Sequence, residues 1–328
     1  MTDVVKQRTL AHLPDFILKE REKISARVKQ LARRMWLHRW LYFLLILPLT
    51  YYLIFRYIPI FNAQIAFKDF YALKGVLGSP WVGFQHFEAF FKSFYFSQLI
   101  VNTVFFSVAK LALGLPCAIL LALVINESRL LRFKSLVQTA VYLPHFLSWV
   151  IMLGLLLALL SPSSGMVNEV IKSLGGQPIS FLASPGWFRP VVILSDIWKE
   201  TGWSTILYLA ALLGLNPELY EAAEVDGASR LSRIWHISLP GILPVIVLVT
   251  LLRIGNILDA GFNQIFILYS VPVYSVGDII DTWVYRSGVL DFQFSLATAV
   301  GLFKGVIGLI LIVVANQLAK RLANQSLF

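Results

Sequence analysis

The chain has 328 residues, 58% hydrophobic and 14% charged, against about 45–50% and 25% for an ordinary soluble domain. That balance all but excludes a water-soluble globule, and an aromatic content of 14% excludes a disordered or low-complexity chain. The formal charge of +10 sits largely ahead of residue 40, beside an apolar block, so the anionic inner membrane surface, not nucleic acid, is its expected counter-charge.

Residues 1–40 read as a basic leader in which Asp15 to Met35 forms an amphipathic helix on the membrane surface, with Phe16, Ile24, Val28 and Leu31 among the charges. The polar stretch is too long, and the following apolar segment lacks the small-residue site, for a cleavable signal. Residues 41–328 then hold six segments long and apolar enough to span a bilayer core of roughly 30 Å. These are Leu41 to Ile58, Leu99 to Ile125, Leu136 to Leu160, Pro190 to Leu215, Pro240 to Leu258 and Leu296 to Leu318. Before the second, Pro80-Trp81-Val82-Gly83-Phe84 and then Phe87, Phe90, Phe91, Phe94 and Phe96 read as an aromatic belt at headgroup level. Cys117 is the only cysteine, so neither an intramolecular disulfide nor a multi-cysteine metal site can form. The five histidines are scattered, without metal-ligand spacing.

Lysine and arginine near the span ends set the orientation. The leader, the turn with Arg129, Arg132 and Lys134, and the tail with Lys320 and Arg321 are all expected in the cytoplasm, as six spans permit. The acidic connection from Asp259 to Asp291 falls outside. The expected fold is an all-α membrane protein with both termini cytoplasmic.

Residues 216–238, between the fourth and fifth spans, carry ordered signals. Asn216 can cap a helix, Pro217 suits its first position, and Glu218 and Glu221 favour its positive end. Gly227 can end that helix, Ser229 can cap a second, and Pro240 starts the next span. The expectation is two short helices meeting at a glycine elbow. Here Glu221-Ala222-Ala223, three residues, Gly227, nine residues, Ile237, one residue and Leu239-Pro240 match the EAA signature of permease subunits in binding-protein-dependent ATP-binding cassette importers. Asp226-Gly227-Ala228 and Trp81-Val82-Gly83-Phe84 resemble the carbohydrate-uptake branch. The run from Asp278 to Arg286, after Val271-Pro272-Val273-Tyr274, looks like the outer loop of its polysaccharide-type subgroup, and the chain resembles permease subunits of alginate importers.

The resemblance implies the type I importer permease fold with six transmembrane helices in the bacterial inner membrane. It also implies a second permease as heterodimer partner, two ATPase subunits and an extracytoplasmic solute-binding protein. Glu221, Ala222, Ala223, Asp226, Gly227, Ile237, Leu239 and Pro240 would form the coupling segment that sits in a groove on the ATPase. No Gly-x-x-x-x-Gly-Lys-Ser/Thr loop is present, so ATP and magnesium are expected on the partners and no cofactor in this chain.

Polar residues inside spans point to the solute path, because lipid does not tolerate them unpaired. Arg253, Asn256, Asp259 and Asn263 share one stripe, and Asp196, Lys199, Glu200 and Trp203 another, with Asp196 and Lys199 able to pair. Asn102, Thr103, Ser107 and Lys110 share a third, and the last span contributes Lys304. Each of these residues has two readings, a hydrated cavity wall or glue between helices. Lys110, Arg253 and Lys304 hint at an acidic solute such as a uronate oligosaccharide, unless Asp196, Glu200 and Asp259 neutralise them. Two alternatives are weighed: a secondary transporter, whose inverted repeats are not apparent, and an intramembrane enzyme, for which Asp196 with Glu200 is the only carboxylate pair inside a span.

Overall fold

The structure, a computed structural model, describes residues 33–128 and 130–323 together with residues 23, 27 and 29–31. The leader helix expected from Asp15 to Met35 falls mostly outside the described residues, as do Lys19, Arg21 and Arg129. Two compact units are present, Met1–Ala63 and Gln64–Phe328.

The first unit contains helix α1, Arg39–Tyr52, which runs through one π turn at Leu53–Tyr57 into Ile58–Phe61. Uninterrupted aliphatic and aromatic residues carry it across Pro48, which removes only one backbone donor.

In the second unit the Trp81-to-Phe84 motif forms a clasp. Trp81 bridges Lys68 antiparallel, and the Val82 and Gly83 amides both donate to the Phe67 carbonyl at 2.9 and 3.1 Å. Helix α2 follows at Gln85–Phe91, then α3 at Tyr95–Glu127. The segment expected to be one span from Leu136 to Leu160 is broken. Helix α4, Leu131–Tyr142, passes into a tight turn at Leu143–Phe146, and α5, Trp149–Leu160, leaves it bent by 110°. Leu147 and Ser148 are extended, and the Ser148 hydroxyl caps α5 by accepting from the Ile151 amide at 3.3 Å.

Helix α6 covers Met166–Ser173 and α7 covers Pro185–Leu213. The short helices α8, Pro217–Val225, and α9, Arg230–Arg233, lead into α10, Leu239–Gly255. Then come α11, Phe262–Leu268, α12, Ile280–Tyr285, and the last long helix α13, Phe294–Ala323. Among the described residues, four helical stretches are long and apolar enough to cross a membrane, and the bent α4 and α5 pair adds a fifth. Helix α7 has the length, with 29 residues, but carries Arg189, Asp196, Lys199 and Glu200.

Lipid is as apolar as leucine, so these helices are held by close packing and polar contacts. Helices α3 and α7 run together for much of their length. Phe106 meets Phe188 and Val192 at one end, while Ala118 and Ala122 meet Tyr208 and Leu212 at the other. A third cluster joins Phe90, Leu99, Ile280, Trp283 and Val300. The aromatic run ahead of α3 is therefore divided: Phe84 and Phe94 are exposed as belt residues would be, whereas Phe90 is core, against Trp283 and Phe303.

Helix α7 approaches α4 so closely at Gly202 that a β-carbon there would collide with the Val141 carbonyl. Gly202→Ala is expected to lower the thermal stability of the purified chain by about 1–3 kcal/mol. Gly154→Ala, which enters open space on α5, should leave it unchanged or slightly raised.

Candidate functional site

Two regions gather the residues singled out by the sequence. The first is the elbow. The Asn216 side chain accepts from the Glu218 amide at 3.1 Å, and Pro217 takes the first position of α8. Past the last turn, the Gly227 amide donates to Glu224 and the Ala228 amide reaches back to Ala223 at 2.9 Å. That closure needs a left-handed residue, and Gly227 supplies it at φ +75°. The Ser229 hydroxyl then caps α9 through the Ser232 amide at 3.2 Å.

Helix α8 buries no residue. Glu221, Ala222, Asp226 and Gly227 are exposed and Ala223 is half-buried, while Val225 stands almost wholly free. The elbow is anchored from its inner side, where the Tyr220 hydroxyl meets that of Ser238 at 2.9 Å and Glu224 pairs with Arg233 at 3.4 Å. Ile237 and Leu239 are half-buried, and Pro240 is exposed in the first turn of α10.

The second region is a cavity of 430 Å³ between α3, α7 and the end of α10. Lys110, Asp196, Glu200, Arg253, Asn256 and Asp259 all line it. Lys110 pairs with Asp196 at 3.2 Å and donates to the Ala260 carbonyl at 3.0 Å and to Gln264. The pairing expected within α7, Asp196 with Lys199, does not form, because Lys110 on the neighbouring helix takes Asp196. Lys199 is instead buried, donating to the carbonyls of Pro144 and His145, with Glu200 at 3.5 Å. Glu200 also holds His145 Nδ1 at 2.9 Å, and the Trp203 ring stacks on His145 at 4.5 Å. Arg253 donates to the Ser204 hydroxyl.

The polar stripe expected along one helix is interrupted at Gly255, where α10 ends. Arg253, Asn256 and Asp259 still converge on the cavity, while Asn263 sits exposed on α11 and does not line it. Lys304 faces a neighbouring cavity of 560 Å³ and is ion-paired to Asp281. Burial pushes the Asp281 carboxyl above its usual range, against the opposing pull of Lys304. Asn102 and Thr103 act as glue. Asn102 donates to the Asp278 carbonyl at 2.9 Å, and Thr103 accepts from the Ile280 amide at 3.0 Å. Asp278 is itself buried, taking Arg286 at 2.6 Å and the Thr282 hydroxyl at 2.7 Å. Gln264, Ser204 and His145 complete these contacts without having stood out in the sequence, since the partner of each lies on another element.

Against this geometry the comparisons are specific. The profile of the family described as binding-protein-dependent transport system inner membrane component matches residues 114–325. The polygalacturonan/rhamnogalacturonan transport system permease protein YteP of Bacillus subtilis (strain 168) is 44% identical over 300 residues, 92% of this chain and 94% of that protein. A crystal structure of a bacterial ABC transporter involved in the import of the acidic polysaccharide alginate superposes with a TM-score of 0.84 at 42% identity, covering 90% of this chain and 99% of the other. A second crystal structure, of a bacterial alginate ABC transporter in complex with alginate pentasaccharide-bound periplasmic protein, gives 0.84 at 41% identity, covering 92% and 100%.

The Lys110 and Asp196 pair is mostly shielded, so Lys110→Met should strand a carboxylate and cost about 3 kcal/mol of stability, read by thermal unfolding. Lys110→Met combined with Asp196→Leu should recover most of that loss.

Proposed function

Because the chain belongs to the family of binding-protein-dependent transport system inner membrane components, we propose that it couples a cytoplasmic ATPase to passage of an acidic oligosaccharide through the cavity around Arg253. At the coarser level it is a sugar-importer permease of the inner membrane, with the type I fold, multi-pass and non-catalytic. In the finer reading it has six spans, α7 being the most polar, with a cytoplasmic leader at residues 1–40, the permease domain at 41–328 and both termini inside. A second permease, two ATPases carrying ATP and magnesium, and an extracytoplasmic binding protein complete the machine.

The observation that carries the reading is the elbow at residues 216–238. A capped helix with no buried residue, closed by a left-handed glycine and tied to α9 and to Ser238 just ahead of α10, is built to be gripped from outside. Glu221 offers a charge to a basic partner residue, and Ala222 lets the partner surface approach. ATP binding would close the ATPases, swing the elbow and open the cavity outward, and hydrolysis would reset it.

Charge pairing supports Arg253 as the solute's anchor. Lys110, Lys199 and Lys304 each face a carboxylate of this chain, whereas Arg253 is bonded to a neutral hydroxyl. The same pairing weighs against an intramembrane enzyme, since Asp196 and Glu200 are committed to Lys110 and His145. The secondary-transporter alternative leaves the elbow without a role.

Tagged chain purified from its native membrane should bring down a second permease and an ATPase. Glu221→Lys is expected to weaken ATPase retention at least about tenfold. Gly227→Pro cannot adopt the required positive φ and should abolish solute-stimulated ATP hydrolysis while the permease pair still assembles. Unchanged retention and hydrolysis in both variants would remove the coupling role.

A further inference from the structure

Three cavities follow one another along this chain, and Asp259 lines all of them. The first is the 430 Å³ cavity around Arg253, and the second, of 560 Å³, is walled by Asn256, Asp281 and Lys304. The third, of 490 Å³, is lined by Phe262, Tyr285, Phe294 and Thr298, and shares Asp281 with the second. Each falls within the size range of a single small-molecule site, about 300–1,000 Å³.

We infer that the third cavity is a second sugar subsite, contributed by α12 and the start of α13, so that the path holds consecutive units of one oligosaccharide. The inference rests on the importer reading above and deepens it. A sugar ring presents C–H groups on its faces and hydroxyls around its edge. Aromatic rings suit the faces and carboxylates accept from the hydroxyls. The third cavity offers both kinds of group.

Phe294 keeps two-fifths of its surface exposed although it touches Phe70 and Phe292, so its ring is not used up in core packing. Asp281 and Asp259 both line the cavity and Lys304 pairs only with Asp281, so this subsite takes the hydroxyl edge of a sugar unit and leaves the unit's own carboxylate turned away. Between the subsites, Gly301 and Gly305 on α13 leave open space where side chains would otherwise stand. The Asp278 to Asp281 motif thereby gains a division of labour. Asp278 is buried and structural, and Asp281 faces the path.

The test uses the complete importer, purified through a tag on this chain with its permease partner, ATPases and binding protein, and reconstituted in liposomes. Uptake of an alginate disaccharide and an alginate pentasaccharide is compared for wild type, Phe294→Ala and Asp281→Asn. The disaccharide can be held by the cavity at Arg253 alone, whereas the pentasaccharide must also occupy the outer subsite. Both variants are expected to lower pentasaccharide uptake about fivefold relative to disaccharide uptake, with complex assembly unchanged for Phe294→Ala. An unchanged ratio, whether both uptakes fall together or neither falls, overturns the subsite while leaving the importer reading intact. Wild-type liposomes that take up neither sugar overturn the acidic-oligosaccharide reading and this inference with it.

Discussion

Four charged side chains on one long helix position most of what surrounds them. An ion in a low-dielectric interior costs several kcal/mol unless it is paired and hydrogen-bonded, and α7 carries Arg189, Asp196, Lys199 and Glu200. All four find partners outside α7. Arg189 reaches Asn102 on α3 and the Val276 carbonyl of the segment after α11. Asp196 takes Lys110 on α3, while Lys199 and Glu200 hold the turn between α4 and α5. The bend in that third segment is thus secured from outside itself. Its freed carbonyls at Pro144 and His145 are answered by the buried ammonium of Lys199.

This explains what the sequence made legible. The elbow could be read residue by residue because a cap, a first-turn proline and a left-handed glycine act within four or five positions of themselves, and all of them appear where expected. The long apolar runs located the helices of 95–127, 185–213, 239–255 and 294–323 closely for the same reason. Partners across helices were another matter. Asp196 and Lys199 stand at a spacing that permits pairing, yet Lys110, remote in sequence, competes successfully because α3 lies against α7. Apolar periodicity likewise does not separate a lipid-facing phenylalanine from Phe90, which Trp283 covers from nearly 200 positions away.

Of the candidate path residues brought together, Lys110, Asp196 and Glu200 come from the middles of α3 and α7, and the rest come from one helix end. Arg253 occupies the last turn of α10, Asn256 its cap, and Asp259 the turn beyond, where Ala260 and Gly261 both take left-handed backbone. Helix termination at Gly255 turns what looked like a stripe into a concave wall, since successive residues no longer rise along one axis. Lys110 stabilises the reversal by donating to the Ala260 carbonyl, so the residue that neutralises Asp196 also shapes the cavity floor. A cation that serves structure in this way is poorly placed to let go for a passing solute, and this separates Lys110 from Arg253.

The same helix end gives the elbow a mechanical reach. Residues Arg230–Gly255 form a continuous helical stretch of 26 residues, from the cap at Ser229 to the cavity wall. At 1.5 Å per residue it is a lever of about 39 Å. Helices transmit displacement well because their hydrogen bonds resist bending; the π turn at Ile234–Ser238 and Pro244 inside α10 are where this one departs from a regular ladder. A tilt imposed at Glu221 to Gly227 would therefore arrive at Arg253 as a displacement against Lys110 and Asp196, which α3 and α7 hold still. The cavity would change width at Arg253, Asn256 and Asp259, with no need for the charged core of α7 to break any of its pairs.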